Sequence, residues 1–313
     1  MNPVRDMKSY LILIILFLII GFSYYTIFLP TNPSSEKEVI FNIEKGEGLR
    51  EIAYNLEKEG LIRWAPIFRI YVFTKGVSGK LQAGNYFLSS SMDIPEIAKK
   101  FVRGETAKIK VTIPEGFTAE QIYQRTINIV NVDLTRLKSF EGYLFPDTYE
   151  IAYDTQGEEI IKMMLDNFNK KVTPELKTEI ERQGKTLEEI IIMASLIEKE
   201  VKTKEDKELV SGILWKRLKN KIPLQVDATI SYITGKKTTE ISIEETKIDS
   251  PYNTYKYRGL PLSPICNPGL ESILAAIYPK NSEYWYYLST PEGETIFSKT
   301  LEEHNIAKAE YLK

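Results

Sequence analysis

The stretch TLEEIIIMASLIEKEV, residues 186–201, decides how this chain folds. Thr186 and Glu189 stand three apart, the spacing at which a hydroxyl and a carboxylate each satisfy an unpaired backbone N–H, so a helix is predicted to begin near Leu187. From 190 to 197 nearly every side chain is apolar, and a helix that is apolar all round belongs inside a domain. It then runs into Glu198, Lys199 and Glu200. Carboxylates there are either the solvated exit of a buried helix or an acid held at the edge of an apolar pocket. Residues two apart project about 200° from each other around the axis, so only one of the two glutamates serves a given cleft. Glu198 continues the stripe of Leu187, Ile191 and Ala194, whereas Glu200 lies beside Met193, Leu196 and Ile197. Periodicity leaves the choice open.

The chain has 313 residues, enough for one large or two medium domains, and its 43% hydrophobic and 27% charged content is an ordinary globular balance. A net charge of −2, with no basic cluster interleaved with aromatics, argues against a nucleic acid partner. The single Cys266 excludes an internal disulfide framework and a cysteine metal cluster, and the lone His304 excludes a multi-histidine site. Neither a metal nor a cofactor is expected. Any catalysis falls to carboxylates, hydroxyls, Lys or Tyr.

Residues 10–29, YLILIILFLIIGFSYYTIFL, carry no charge over twenty positions, about the length that crosses a hydrocarbon core of roughly 30 Å. This reads as a transmembrane helix. Arg5 and Lys8 outnumber Asp6 before it, which favours an inside amino terminus at 1–9 and an exported remainder. A cleaved signal peptide is the rival reading, but no Ala-x-Ala site follows, and the first alanine is Ala53. No cysteine follows that would make a lipoprotein. Residues 30–37, with Pro30 and Pro33, read as a short polar linker.

Two segments then align at an offset of 70 residues, FNIEKG from Phe41 and VTIPEG from Val111, each a short strand, a Gly turn and an amphipathic helix. Leu49, Ile52, Ala53 and Leu56 form the first helix's stripe with Gly60 as its cap; Thr118 and Gln121 form a capping box for the second. Further helices are expected over 64–73 and 94–102, and a strand over 81–88. The order strand, helix, helix, strand across 39–88, with its I-A-x-x-L helix, resembles a LysM module. That resemblance implies binding to N-acetylglucosamine-containing glycans; a plain spacer is the alternative, and recurrence of the pattern at Val111 favours it.

The remainder is dense in motifs. EGYLFPDTY, residues 141–149, packs three aromatics and two carboxylates into nine positions, a composition suited to stacking on sugar rings or to filling a core. Helices are expected over 158–169, 206–218 and 271–277. PLQVDAT (223–229), SPYNTY (250–255) and GLPLSPICNPG (259–269) are expected to be rigid without regular structure, as the wall of a cleft requires. YWYYL (284–288) and ETIF (294–297) flank Pro291-Glu-Gly293 as a hairpin.

ASLIEKE, EGYLFPDTY, LQVDATISY, SPYNTY, GLPLSPICNPG and FSKTLEEHN together resemble the YceG-like family, the MltG-type endolytic murein transglycosylases. The resemblance implies a membrane-anchored extracytoplasmic enzyme that cuts nascent peptidoglycan within the strand and leaves a 1,6-anhydro-N-acetylmuramic acid end. It carries the catalytic role to Glu200, the last residue of the E-K-E motif. It also implies a cleft that includes Glu141, Asp147, Gln225, Asp227, Tyr252, Asn253, Thr254 and Asn267. Three positions depart from the family pattern: Leu262-Ser263 stands where Pro-Gly is usual, and Thr295 where a His is often found.

The whole reading is an α+β chain: a cytoplasmic amino terminus at 1–9, a transmembrane helix at 10–29, a linker at 30–37, a LysM-like module at 38–105 and a mixed α+β catalytic domain at 106–313 built on a central buried helix. One glutamate suffices for the implied chemistry, because the sugar's own C6 hydroxyl replaces water as the attacking group. An apolar surround keeps such a glutamate protonated near neutral pH. Partners expected are glycan strands, the cytoplasmic membrane and peptidoglycan synthases. Two rivals come from other classes: a non-catalytic anchored glycan-binding scaffold, and a lysozyme-type muramidase using Glu141, Asp147 or Asp227 as a second carboxylate.

Overall fold

The computed structural model describes the backbone of residues 3–236 and 241–312, with side chains from residue 10 onward. Residues 1 and 2 of the expected cytoplasmic segment lie outside the described residues, as do the side chains of Arg5, Asp6 and Lys8 on which the orientation reading rests. The chain is α+β and divides into two compact units, one of residues 1–109 with 150–154, the other of 110–149 with 155–313.

The first unit opens with α1 (Pro3–Phe28), whose apolar window Tyr10–Phe28 is long enough to cross a membrane. Residues 30–37 do not hang free: Asn32 N–H donates to the Ser90 carbonyl at 2.8 Å and Thr31 Oγ1 to that of Gly60 at 2.9 Å. Then come β1 (Glu38–Ile43), α2 (Leu49–Lys58), α3 (Ala65–Thr74), β2 (Gly84–Ser89) and α4 (Ile94–Arg103). Strands β1 and β2 pair antiparallel, with Phe41 opposite Tyr86. That register sends Phe41, Tyr86 and Leu88 inward, where Phe68 and Phe101 meet them; the Tyr86 and Phe101 rings lie edge to face at 4.8 Å. Helix α4 has both bonds of an Asp93–Glu96 capping box and stops at left-handed Gly104.

Strands β3 (Lys108–Thr112) and β4 (Thr148–Ala152) form a second pair, and residues of each fall on both sides of the division. The second unit continues with α5 (Ala119–Thr126), α6 (Leu134–Lys138), α7 (Gly157–Lys171), α8 (Pro174–Arg182), α9 (Leu187–Glu200), α10 (Lys204–Lys219), α11 (Asp227–Thr234), α12 (Leu270–Ile277), a hairpin of β5 (Tyr286–Ser289) and β6 (Thr295–Ser298), and α13 (Leu301–Tyr311). The repeated Gly turns, Gly46 and Gly116, both have positive φ, 93° and 75°, which a residue with Cβ resists.

Both reciprocal bonds of the Thr186–Glu189 capping box form, and residues 190–197 of α9 are all buried. The helix packs against α10, α11 and α12. Ser195, mid-helix, accepts the Ile265 N–H at 3.1 Å and so fixes the loop 259–269 to α9. Gly142 sits so close to that loop that a Cβ there would lie 2.5 Å from Pro264.

One expectation is corrected: PLQVDAT is not irregular throughout, since α11 starts at Asp227 and ends at left-handed Gly235. No side chain caps that start, so the usual signal of a helix beginning is missing.

Candidate active site

Opposite projection of Glu198 and Glu200 gives them different neighbours. Glu198 turns toward α10 and α12. Its carboxylate lies 3.5 Å from the Lys207 ammonium, with the two side chains only 9% and 4% exposed, and it accepts the Ser272 hydroxyl at 2.6 Å and the Gly269 N–H at 3.1 Å. It is therefore neither a solvated exit nor an acid facing a cleft. Lys207 continues the buried stripe of α10 with Val210 and Leu214, which is why its charge needs a partner there.

Glu200 turns toward α11 and the hairpin. Tyr287 donates its hydroxyl to Oε2 at 3.0 Å, the Ala228 N–H near the start of α11 also points at the carboxylate, and Ser289 Oγ donates to the Glu200 carbonyl at 3.2 Å. Burial pushes its pKa up to about 7, helped by the negative charge of Asp227 and opposed by the Tyr287 and Ala228 bonds. The bonds from Tyr287 and from Ala228 at the amino terminus of α11 favour the carboxylate, so burial and Asp227 together outweigh both. The result is a carboxyl poised between acid and base near neutral pH.

Around it stand groups that sequence reasoning reached only in part. Asp227, exposed at the start of α11, accepts the Tyr255 hydroxyl. Arg217, buried on α10, donates to Gln225 Oε1 at 2.5 Å, and its guanidinium lies 5.6 Å from the Tyr286 ring centre. Burial lowers the Arg217 pKa and raises those of Tyr255 and Tyr287. Gln225 has φ of 55°, a strained value for a residue with Cβ, and its N–H donates to the Thr254 carbonyl at 3.1 Å. Tyr287, Tyr255 and Arg217 were not singled out from the sequence. Arg217 carried a usable signal, a charge on the apolar face of α10 with Ile213 and Leu214. Tyr287 carried none, since it reads as an ordinary hairpin residue.

The other expected cleft residues are engaged with their own chain. Asn267 accepts the Gly142 and Leu144 N–H groups, both at 2.9 Å, and donates to the Phe117 carbonyl at 3.0 Å and to Glu141 at 2.9 Å. Glu141 also receives the Ala119 N–H, at 2.9 Å to its nearer oxygen. Asn253 holds its loop through the Thr246 and Ile248 carbonyls, and Thr254 Oγ1 accepts the Val226 N–H at 2.9 Å, just before Asp227. Tyr252 hydrogen-bonds Ser263 at 2.7 Å, so the departure at Ser263 supplies a partner for that phenol. Thr295, another departure, donates to Asp206 at 3.1 Å. Asp147 lies exposed beside Asn167, whose amide holds its pKa below the usual carboxylate range. No group of three or more potential metal ligands occurs among the described residues.

Burial also raises the Glu141 pKa, from 4.5 to about 7. A carboxyl shifted this way penalises the fold when ionised, not at all below about pH 4.5 and fully above about pH 7. Glu141→Gln is therefore expected to gain stability relative to wild type by about 1–3 kcal/mol between acid and mildly alkaline pH. Urea midpoints of both proteins at the two pH values check this; a constant difference contradicts it.

Residues 41–310 match the family model described as the YceG-like family. The chain belongs to that family. The chain is 35% identical to a Bacillus subtilis protein named endolytic murein transglycosylase, across 90% of this chain and 87% of that one. It is 31% identical to a Streptococcus pneumoniae protein of the same name, matching 91% of this chain but only 60% of that protein's length. A crystallised YceG-like protein of Listeria monocytogenes superposes with a TM-score of 0.57 at 31% identity, over 88% of this chain and 100% of that one.

Proposed function

We propose that this chain is an endolytic murein transglycosylase anchored in the cytoplasmic membrane by α1 as its single span, with the chain from residue 31 on outside. The relatives' shared name supports the activity, and the length and composition of α1 support the anchor. The observation that carries the mechanism is the carboxyl of Glu200, raised to about 7 by burial and Asp227 while held by Tyr287.

In this reading Glu200 enters protonated and gives its proton to the glycosidic oxygen between N-acetylmuramic acid and N-acetylglucosamine. The bond to C1 breaks, and positive charge develops on the muramyl ring. The resulting Glu200 carboxylate takes the proton of the C6 hydroxyl as that oxygen bonds C1, closing the 1,6-anhydro ring. Glu200 regains its proton and no water is consumed. Asp227 raises the acid's pKa and adds negative charge near the developing cation. Tyr287 orients the carboxyl, and Thr254 positions the backbone before Asp227. Residues 38–105 act as a LysM-like module contributing to glycan binding, residues 106–313 as the catalytic domain, and strand-polymerising synthases are the natural neighbours of an enzyme that terminates new strands.

Incubating sacculi with the purified protein tests the activity: new anhydro ends in the muropeptide profile are expected, and an unchanged profile would favour the scaffold. The presence of Asp227 beside Glu200 keeps one rival chemistry in view, a muramidase with two carboxylates.

The pH profile carries a second expectation. Activity should fall as pH rises through about 7, because the general acid is then ionised. Tyr287→Phe removes a bond that favours the carboxylate, so the alkaline limb should move to higher pH while kcat falls. A variant with lower kcat and an unmoved limb would make Tyr287 only a packing residue.

A further inference from the structure

Helix α3 has an apolar side that the protein leaves open. Pro66, Ile70 and Phe73 recur along one stripe, and Trp64 stands at the helix start. Ile70 is 56% exposed and Phe73 76%, the same exposure as Phe17 in the middle of α1. Adjacent large apolar side chains this exposed mark an interaction surface.

The neighbouring helix indicates what covers it. The last turns of α1 are fastened to this unit: Thr26 is buried, Ile27 packs on the apolar core, and Arg63 donates to the Pro30 carbonyl at 2.6 Å while its guanidinium lies 4.5 Å from the Tyr25 ring centre. The Trp64 ring meets Phe22 edge to face at 5.9 Å. Phe22 is six residues short of Phe28, where the apolar window ends, which is about 9 Å along a helix axis at 1.5 Å per residue. With α1 across a bilayer, Trp64 therefore sits below the outer edge of the hydrocarbon, and the helix that starts there cannot be wholly in water.

We propose that α3 is an interfacial helix whose Trp64, Pro66, Ile70 and Phe73 side lies in the outer leaflet of the bilayer that α1 crosses. The inference rests on reading α1 as an anchor. Exposed Arg69 borders the stripe, and its long side chain extends to the phosphate level while the aromatic rings occupy the region where headgroups meet acyl chains. The continuity of this face with the lipid-facing surface of α1 favours lipid over a second copy of the chain, which would have to cover α3 at a site already beside the span.

The test uses the full chain in lipid nanodiscs, with a nitroxide placed in turn at Phe73→Cys, Ile70→Cys, Phe17→Cys and Glu51→Cys; Cys266 is buried and stays unlabelled. Relaxation by oxygen, which partitions into lipid, is compared with relaxation by a water-soluble nickel chelate. Phe73 and Ile70 are expected to favour oxygen, at a depth between Phe17 and the water-exposed Glu51. Nickel access equal to that of Glu51 would put the face in water, and shielding from both reagents with spin–spin broadening would put a second copy over it; either overturns the proposal. Nickel access at Phe17 would remove the anchor, and the inference with it, as a separately visible result.

Discussion

Glu200→Gln is expected to slow strand cleavage by roughly 10²–10⁴-fold or more without lowering the melting transition. The amide has the size of the carboxyl, and its oxygen still accepts the Tyr287 hydroxyl, so the end of α9 keeps its contacts. It cannot protonate a leaving oxygen or take the C6 hydroxyl proton. Because the carboxyl is raised to about 7, much of it is already neutral near neutral pH, and replacing it with a neutral group removes little that the fold depends on. The rate of anhydro-end formation and a thermal melt together check the expectation. A variant that cleaves within a few-fold of wild type would assign the proton transfers to another group.

Glu198→Ala is expected to do the reverse, costing about 3–5 kcal/mol of stability because it leaves a buried charge uncompensated. Lys207, 4% exposed, would lose its counter-charge, and the Ser272 hydroxyl and Gly269 N–H would lose their acceptor. The expectation differs from the one helix geometry alone suggests, in which Glu198 merely points away and tolerates change. Glu198→Gln should fall between, keeping the acceptor but not the charge, and Glu198→Met with Lys207→Met should recover much of the loss. Urea midpoints decide; an unchanged midpoint for Glu198→Ala would mean that the pair adds nothing to the fold.

What the sequence disclosed follows the range of the interactions involved. The start of α9 was legible because its capping box closes over three residues, and so was α4, expected over 94–102 and found at 94–103. The opposition of Glu198 and Glu200 was legible from helix geometry, but the partners that give each its character were not. Tyr287 reaches Glu200 from 87 residues away, and Ser272 reaches Glu198 from 74. Asn267 entered the expected cleft through the family resemblance alone; its four bonds join segments up to 150 residues apart, which no local pattern could show. Helix α11 was missed because Asp227 was read within a Pro-led polar run, and α8 and α13 because their apolar faces are narrow: only Ile180 is buried in α8, and only His304 and Ala307 in α13.

The central claim, that one carboxyl moves both protons and no water enters the product, is tested most directly by digesting sacculi in water enriched in heavy oxygen and weighing the new strand ends. The account predicts ends one water lighter than hydrolysed ones, with no heavy oxygen at C1 of the muramyl residue. New reducing ends, one water heavier, in place of anhydro ends would contradict it and make the enzyme a hydrolase.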